Sequence, residues 1–250
     1  MKGLISMWLL WFFVFLIPSG TPAGEYLTEA DSLFNKGGIE NYKRSIDLYI
    51  KAVEANPDDY EANWKCARAN REYGKNVKRQ KLGNWKELCA KHGKAGMKYA
   101  EKAITLKPDK PDGHYYYGLN VGIYSDGVSI LTALREGLKN KTQKSFEKAY
   151  ALDKMYDEAG PILSLGRFWA VVPWPFRDKK KALEYYREFQ TTDYFSDNAE
   201  AQIYLAELLV KLIGKENKDE ASAHLKKAAQ SEIEYFSDWA NRLLAEITKQ

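Results

Sequence analysis

The chain has 250 residues, with 38 Lys and Arg against 34 Asp and Glu, a net charge of +4 with both signs interspersed. That excess is too small and too scattered for nucleic-acid binding, which asks for a concentrated basic stripe, so the charges read as solvated helix faces. Two cysteines and three well-separated histidines argue against a zinc site, and no motif calls for a cofactor.

The first element is apolar. Lys2 precedes a run from Leu4 to Ile17 interrupted only by Ser6; Pro18, Ser19 and Gly20 then break any helix, and Thr21-Pro22-Ala23 offers small residues. Residues 1–23 are expected to be a secretory signal peptide, leaving 24–250 as an exported domain. The run is shorter than the roughly 20 residues of a spanning helix, so an uncleaved N-terminal anchor is the alternative, and no stable membrane span is expected after cleavage. No cysteine lies near the cleavage site, as a lipoprotein would need.

Beyond the leader a cassette recurs, a basic, alanine-bearing helix end followed by an acidic break. It reads YIKAVEANPDD from Tyr49 to Asp59, YAEKAITLKPDKPD from Tyr99 to Asp112, and FEKAYALDKMYDEA from Phe146 to Ala159. Weaker copies are KALEYYREF from Lys181 to Phe189 and ASAHLKKAA from Ala221 to Ala229. A small residue recurring on a helical face before a stop marks stacked helical hairpins. Ile46, Tyr49, Ile50 and Val53 form a helical stripe, and Ile203, Leu205, Leu208, Leu209 and Leu212 predict a densely buried helix. Ser237 or Asp238 is expected to cap a last helix, Trp239 to Ile247, covering the open face of the array. No segment alternates as a strand does, so the fold is expected to be all-α.

These positions resemble the tetratricopeptide (TPR) repeat. Ser45, Tyr49, Ala52 and Pro57 fit a first repeat; Ala67, Gly96, Ala100, Ala103 and Pro108 a second; Gly118, Phe146 and Ala149 a third. Gly166, Ala182 and Tyr186 fit a fourth, and Ala206, Ala221, Leu225 and Ala228 a fifth. The equivalents Ala52, Ala103, Ala149, Phe189 and Ala228 lie 51, 46, 40 and 39 residues apart, all longer than the repeat's length of about 34. The expectation is a TPR-like solenoid of about five degenerate repeats with a C-terminal capping helix. Its main insertions fall around Gly74 to Gly93 and Tyr124 to Lys141.

The resemblance places partner-binding residues on the concave face, from the first helix of each hairpin: Trp64, Arg68 and Arg71, then Tyr115 and Leu119, then Arg167. Arg beside Trp and Tyr is a binding composition, since planar groups desolvate cheaply and pair with carboxylates; packing between helices is the alternative for the aromatics. Phe168-Trp169-Ala170-Val171-Val172-Pro173-Trp174-Pro175-Phe176 is unusually apolar, and Pro173 must end its helix. Either that loop packs back on the core, or Tyr116, Phe168, Trp169, Trp174 and Phe176 border a cavity for a small apolar ligand. Cys66 and Cys89, both on expected helices, are either a disulfide or two separately buried thiols. No catalytic signature appears, and His92, His114 and His224 lack motif partners, so an enzyme is not expected.

The wording from Gly113 to Phe189, with GHYYYG, KSFEKAYALD and LSLGRFWAVVPWPF, resembles the T component of tripartite ATP-independent periplasmic (TRAP) transporters. A second resemblance, in the "LGR-aromatic…PW" wording, is to the regulator of microtubule dynamics family. Both cover roughly the central third of the chain and imply packing, not an active site. The first implies a periplasmic adaptor for a solute-binding subunit, with homo-oligomers.

Overall fold

The computed structural model describes residues 21–212 and 214–248; the expected leader, apart from residues 21–23, lies outside them. Twelve helices follow one another, and no strand occurs among the described residues. In order they are α1 (Pro22–Lys36), α2 (Ile39–Ala55), α3 (Tyr60–Arg79), α4 (Trp85–Leu106), α5 (Pro111–Val128), α6 (Ile130–Arg135), α7 (Leu138–Leu152), α8 (Tyr156–Val171), α9 (Lys179–Gln190), α10 (Ala199–Val210), α11 (Lys215–Ala228) and α12 (Glu234–Thr248). Each packs on the next along the chain, and α5 also reaches past the short α6 to pack directly on α7. The result is five hairpins (α1/α2, α3/α4, α5/α7, α8/α9, α10/α11) and a closing helix, the TPR-like solenoid that the cassettes predict.

Helix starts explain the acidic breaks. Asp59 accepts the Ala62 N–H at 3.0 Å and caps α3, and Asp178 accepts from Lys180 and Lys181 at the start of α9. Such caps satisfy N–H groups that a first helical turn leaves open. His114 also works locally, its Nε2 lying 2.9 Å from the Pro108 carbonyl at the start of α5. The cassette alanines are wholly buried: Ala52, Ala103, Ala149, Ala182, Ala221 and Ala228 are at most 1% exposed. With no side chain beyond Cβ they let neighbouring helices approach closely.

First helices of successive hairpins also touch one another, α3 against α5, α5 against α8, and α8 against α10, which makes them the inner layer. Buried Asn120 ties two of them together, donating to the Ala67 carbonyl at 3.0 Å and the Tyr116 carbonyl at 2.8 Å. The predicted dense helix is α10, where Ile203, Leu205 and Leu209 are fully buried.

One expectation needs correction, and two points that the sequence left open are decided. The last helix begins at Glu234, not Trp239, because Phe236 docks as a buried anchor one turn earlier than the sequence signals predict, and Ser237 bonds within the helix instead of capping it. The insertion around Gly74 to Gly93 lengthens α3 and α4, leaving only a short turn between them, while the Tyr124 to Lys141 insertion adds α6. Cys66 and Cys89 are not bonded: both are buried and free, with the Cys89 thiol donating to the Gly74 carbonyl at 3.3 Å. No described helix is long and apolar enough to cross a membrane.

Candidate functional site

The lengthened α3 carries Arg71, Lys75 and Arg79 at intervals of four, with Lys78 between them, so one helical stripe is basic. It faces α5, α8 and α10, and together with α6, α7 and α12 these helices enclose a cavity of about 480 Å³ on the concave side. That size is ordinary for a binding pocket, roughly 300–1,000 Å³. One wall is apolar, built from Leu119, Leu134, Phe146, Leu163, Phe168 and Val172. The other carries charge.

Six basic side chains line the cavity (Arg71, Lys75, Lys78, Arg79, Lys139 and Arg167), against two carboxylates, Asp126 and Glu200. Part of that surplus is held in place by ion pairs. Lys78 meets Asp126 at 2.7 Å, Arg79 meets Glu200 at 3.2 Å, and Arg167 meets Glu207 at 2.7 Å. Arg71 pairs with Glu72, and Lys75 reaches the same carboxylate at 3.2 Å. Burial opposes the Glu72 charge, but Arg71 and Lys75 outweigh it and hold the carboxyl at about 2. Lys75 is pulled down to about 8, first by burial and then by the Arg71 charge. A lysine in that position gains from an anion brought beside it. Glu200 is likewise lowered: burial raises it, and Arg79, Lys75 and Arg71 more than reverse that.

The Arg79–Glu200 pair joins α3 to α10 across the groove, and the Arg79 guanidinium lies over the Phe236 ring of α12 at 4.4 Å. Tyr204 donates to Glu200 at 2.7 Å and stacks under Arg167 at 4.1 Å. One side of the cavity is therefore closed by α12, which contributes Tyr235 and Trp239 to the lining.

Of the residues expected on the concave face, Arg71, Tyr115, Leu119 and Arg167 line the cavity. Trp64 and Arg68 do not. Trp64 stacks on Tyr116 with ring centroids 5.9 Å apart, and Arg68 turns toward α1, over Phe34 at 3.9 Å and within 3.9 Å of Asp31. The first hairpin covers that part of α3, so the projected positions are packing there. Among the expected cavity residues only Phe168 joins the lining. Tyr116 and Trp169 are buried elsewhere, the latter beneath Lys181 at 4.5 Å. Trp174 is 85% exposed and Phe176 43% exposed, so these two side chains neither pack on the core nor line the cavity, which the loop reaches only through Val172 and Pro173.

Sequence reasoning missed Lys75, Lys78, Arg79, Glu200, Tyr204 and the part that the closing helix α12 plays in the lining. The spacing of the α3 basic residues was a readable signal; the pairing of Arg79 with a residue 121 positions away was not. No cysteine or histidine lines the cavity, and no cluster of three or more metal-ligating side chains occurs among the described residues. An apolar wall beside charged side chains is chemically suited to an apolar body with a negative group attached.

Residues 26–171 match the family described as regulator of microtubule dynamics protein 1-3. No curated protein matches the chain. Among solved structures, a thermophilic TPR protein of Thermus thermophilus is similar with a TM-score of 0.59 and 18% identity, over 91% of this chain and all of that one. MamA is similar with a TM-score of 0.52 and 17% identity, over 82% of this chain and 89% of its own. At such identities the likeness bears on fold alone.

Proposed function

Since the chain belongs to the regulator of microtubule dynamics protein 1-3 family, we propose that it is a non-catalytic helical-repeat scaffold that captures a partner protein through the concave cavity. The observation that carries this reading is the lining itself, an apolar wall facing six cations and two carboxylates. It fits a short apolar segment ending in or flanked by acidic side chains, because Arg71 and Lys75 share the single Glu72 carboxylate and an incoming carboxylate would meet their remaining charge. A second reading rests on the closure of the groove by Arg79, Glu200 and α12. A cavity closed on one side suits a small anionic amphiphile as well as a peptide end.

Gly122 provides the test. It lines the cavity, and a Cβ there would meet nothing within 4 Å. Gly122→Phe projects a ring into the cavity, whereas Gly122→Ala leaves it open. Affinity capture with the full chain should lose its partner in the Phe variant and keep it in the Ala variant. Anilinonaphthalene sulfonate, an anionic aromatic probe, reports on the small-ligand reading with the same pair of proteins. Capture unaffected by Gly122→Phe in a folded protein removes the cavity from the partner reading.

Two narrower assignments attach to the scaffold. The family description supports a role in microtubule dynamics, which co-sedimentation with polymerised tubulin tests. The apolar run of residues 4–17 supports export, and with it the periplasmic solute-uptake adaptor, alone or as a homo-oligomer. N-terminal sequencing of the mature chain and co-purification with a solute-binding subunit test that branch.

A further inference from the structure

Seven large apolar side chains are exposed among the described residues, and four of them, Ile130, Leu131, Trp174 and Phe176, belong to α6 and the turn after α8. Both segments contribute to one cavity lining. Ile130 and Pro173 border the same cavity, and the Lys139 ammonium at the start of α7 lies 4.8 Å from the Phe176 ring centroid. The turn is held by the backbone: Phe176 N–H donates to the Pro173 carbonyl at 2.9 Å, and Asp178 N–H to the Trp169 carbonyl at 3.2 Å. Arg177 Nε adds a bond to the Val172 carbonyl at 3.2 Å. Trp174 therefore stands out on a braced turn.

Basic side chains surround it. Arg177 and Lys180 follow closely, Lys179 lies between them with its ammonium donating to the Lys211 carbonyl at 3.0 Å, and Lys139 flanks the other side. The carboxylates nearby are committed, Asp178 to the α9 start and Glu136 to the Tyr124 hydroxyl at 2.9 Å. We propose that this edge is a membrane-docking surface, with Trp174, Phe176 and Leu131 entering the interface of an anionic bilayer and the lysines meeting its headgroups. Trp at the headgroup level and long basic side chains reaching past apolar surface are what such an interface favours. A stable protein interface needs about 800 Å² per partner, which two aromatic tips of about 150–250 Å² each do not supply. Residues 4–17 of the same chain are almost wholly apolar.

The test uses the full chain on vesicles of phosphatidylcholine and phosphatidylserine with brominated acyl chains, which quench tryptophan on contact. The difference in emission between wild type and Trp174→Phe isolates Trp174 from the other indoles, including those of residues 1–20; Trp85→Phe, at the start of α4, is the control. The Trp174 component should be quenched and the Trp85 component should not. Replacing Lys179 and Lys180 together by Gln should weaken docking of the turn about 30-fold, from about 1 kcal/mol per lysine near an anionic surface, and the quenched component should fall accordingly. Trp174, Lys179 and Lys180 are exposed, so the fold is retained in their variants, and Trp85→Phe keeps an aromatic ring where Trp85 packs on the N-terminal core cluster. An unquenched Trp174, or equal quenching of Trp85, overturns the proposal. Quenching that is identical on pure phosphatidylcholine overturns the electrostatic part, and with it the role given to the lysines.

Discussion

Two glycines five residues apart on α5 should respond to alanine in opposite directions. At Gly122 a Cβ would enter open space, and at Gly127 it would overlap the Lys86 carbonyl and the Ala90 amide of α4. Replacing a helical glycine by alanine lowers the entropy of the unfolded chain and contributes about 0.5–1 kcal/mol. Gly122→Ala should therefore stabilise by about that much, for a rise of roughly 2–4 °C in Tm per kcal/mol at this chain length. At Gly127 the same gain is set against overpacking of about 1–3 kcal/mol. The obstructing atoms are backbone and cannot swing aside, so the cost should approach the upper part of that range. The net expectation is a loss of about 1–2 kcal/mol. Urea unfolding followed by circular dichroism reads both variants against wild type. If Gly127→Ala proved as stable as the parent, the close α4–α5 crossing inferred here would be wrong. A destabilised Gly122→Ala would equally contradict the open cavity floor.

The pH profile should carry two signatures. Burial, with Lys91 and Lys43 nearby, lowers the His92 pKa from 6.5 to about 4. The unfolded chain binds a proton in that interval that the fold does not, so stability should fall as pH drops from 6.5 toward 4, by on the order of 2 kcal/mol, and His92→Gln should flatten that slope in thermal melts. Lys75, lowered to about 8, penalises the fold while both states are charged, so its contribution should make stability rise between pH 8 and its ordinary value near 10.5. Arg79→Ala removes the pair with Glu200 and the contact with Phe236; a loss of about 1–3 kcal/mol is expected in denaturant melts, since Glu200 is left with fewer partners. The thiols of Cys66 and Cys89 should resist an aromatic disulfide reagent in the native protein and react in urea, because both are buried and burial raises the Cys89 pKa to about 11. Rapid native labelling, or a mass two protons lighter under mild oxidation, would contradict that.

The architecture was legible because it repeats. Ala52, Ala103, Ala149, Ala182 and Ala228 announce five helix crossings, and every one of them is a buried crossing in the structure. Local signals also placed the end of α8 at Pro173. The binding face was legible only in part. Arg71, Tyr115, Leu119 and Arg167 reach the cavity lining because they lie on inner-layer helices, whereas in the same register Arg68 is covered by α1 and Trp64 is taken up by stacking on Tyr116. A repeat pattern assigns a face to a residue without saying whether another element lies over it. The same limit hid where α12 begins and how it docks, through Phe236 meeting Arg79, a contact between distant parts of the chain.

That contact changes the mechanics of the array. A stack of hairpins touching only their neighbours behaves as a spring, free to stretch or fray from either end. Here Arg79 grips Glu200 and Phe236 together, and the spring becomes a clasped bracelet. Loss of the last helix should then be felt at the second hairpin, and widening the bracelet to admit a large guest requires the clasp to open first.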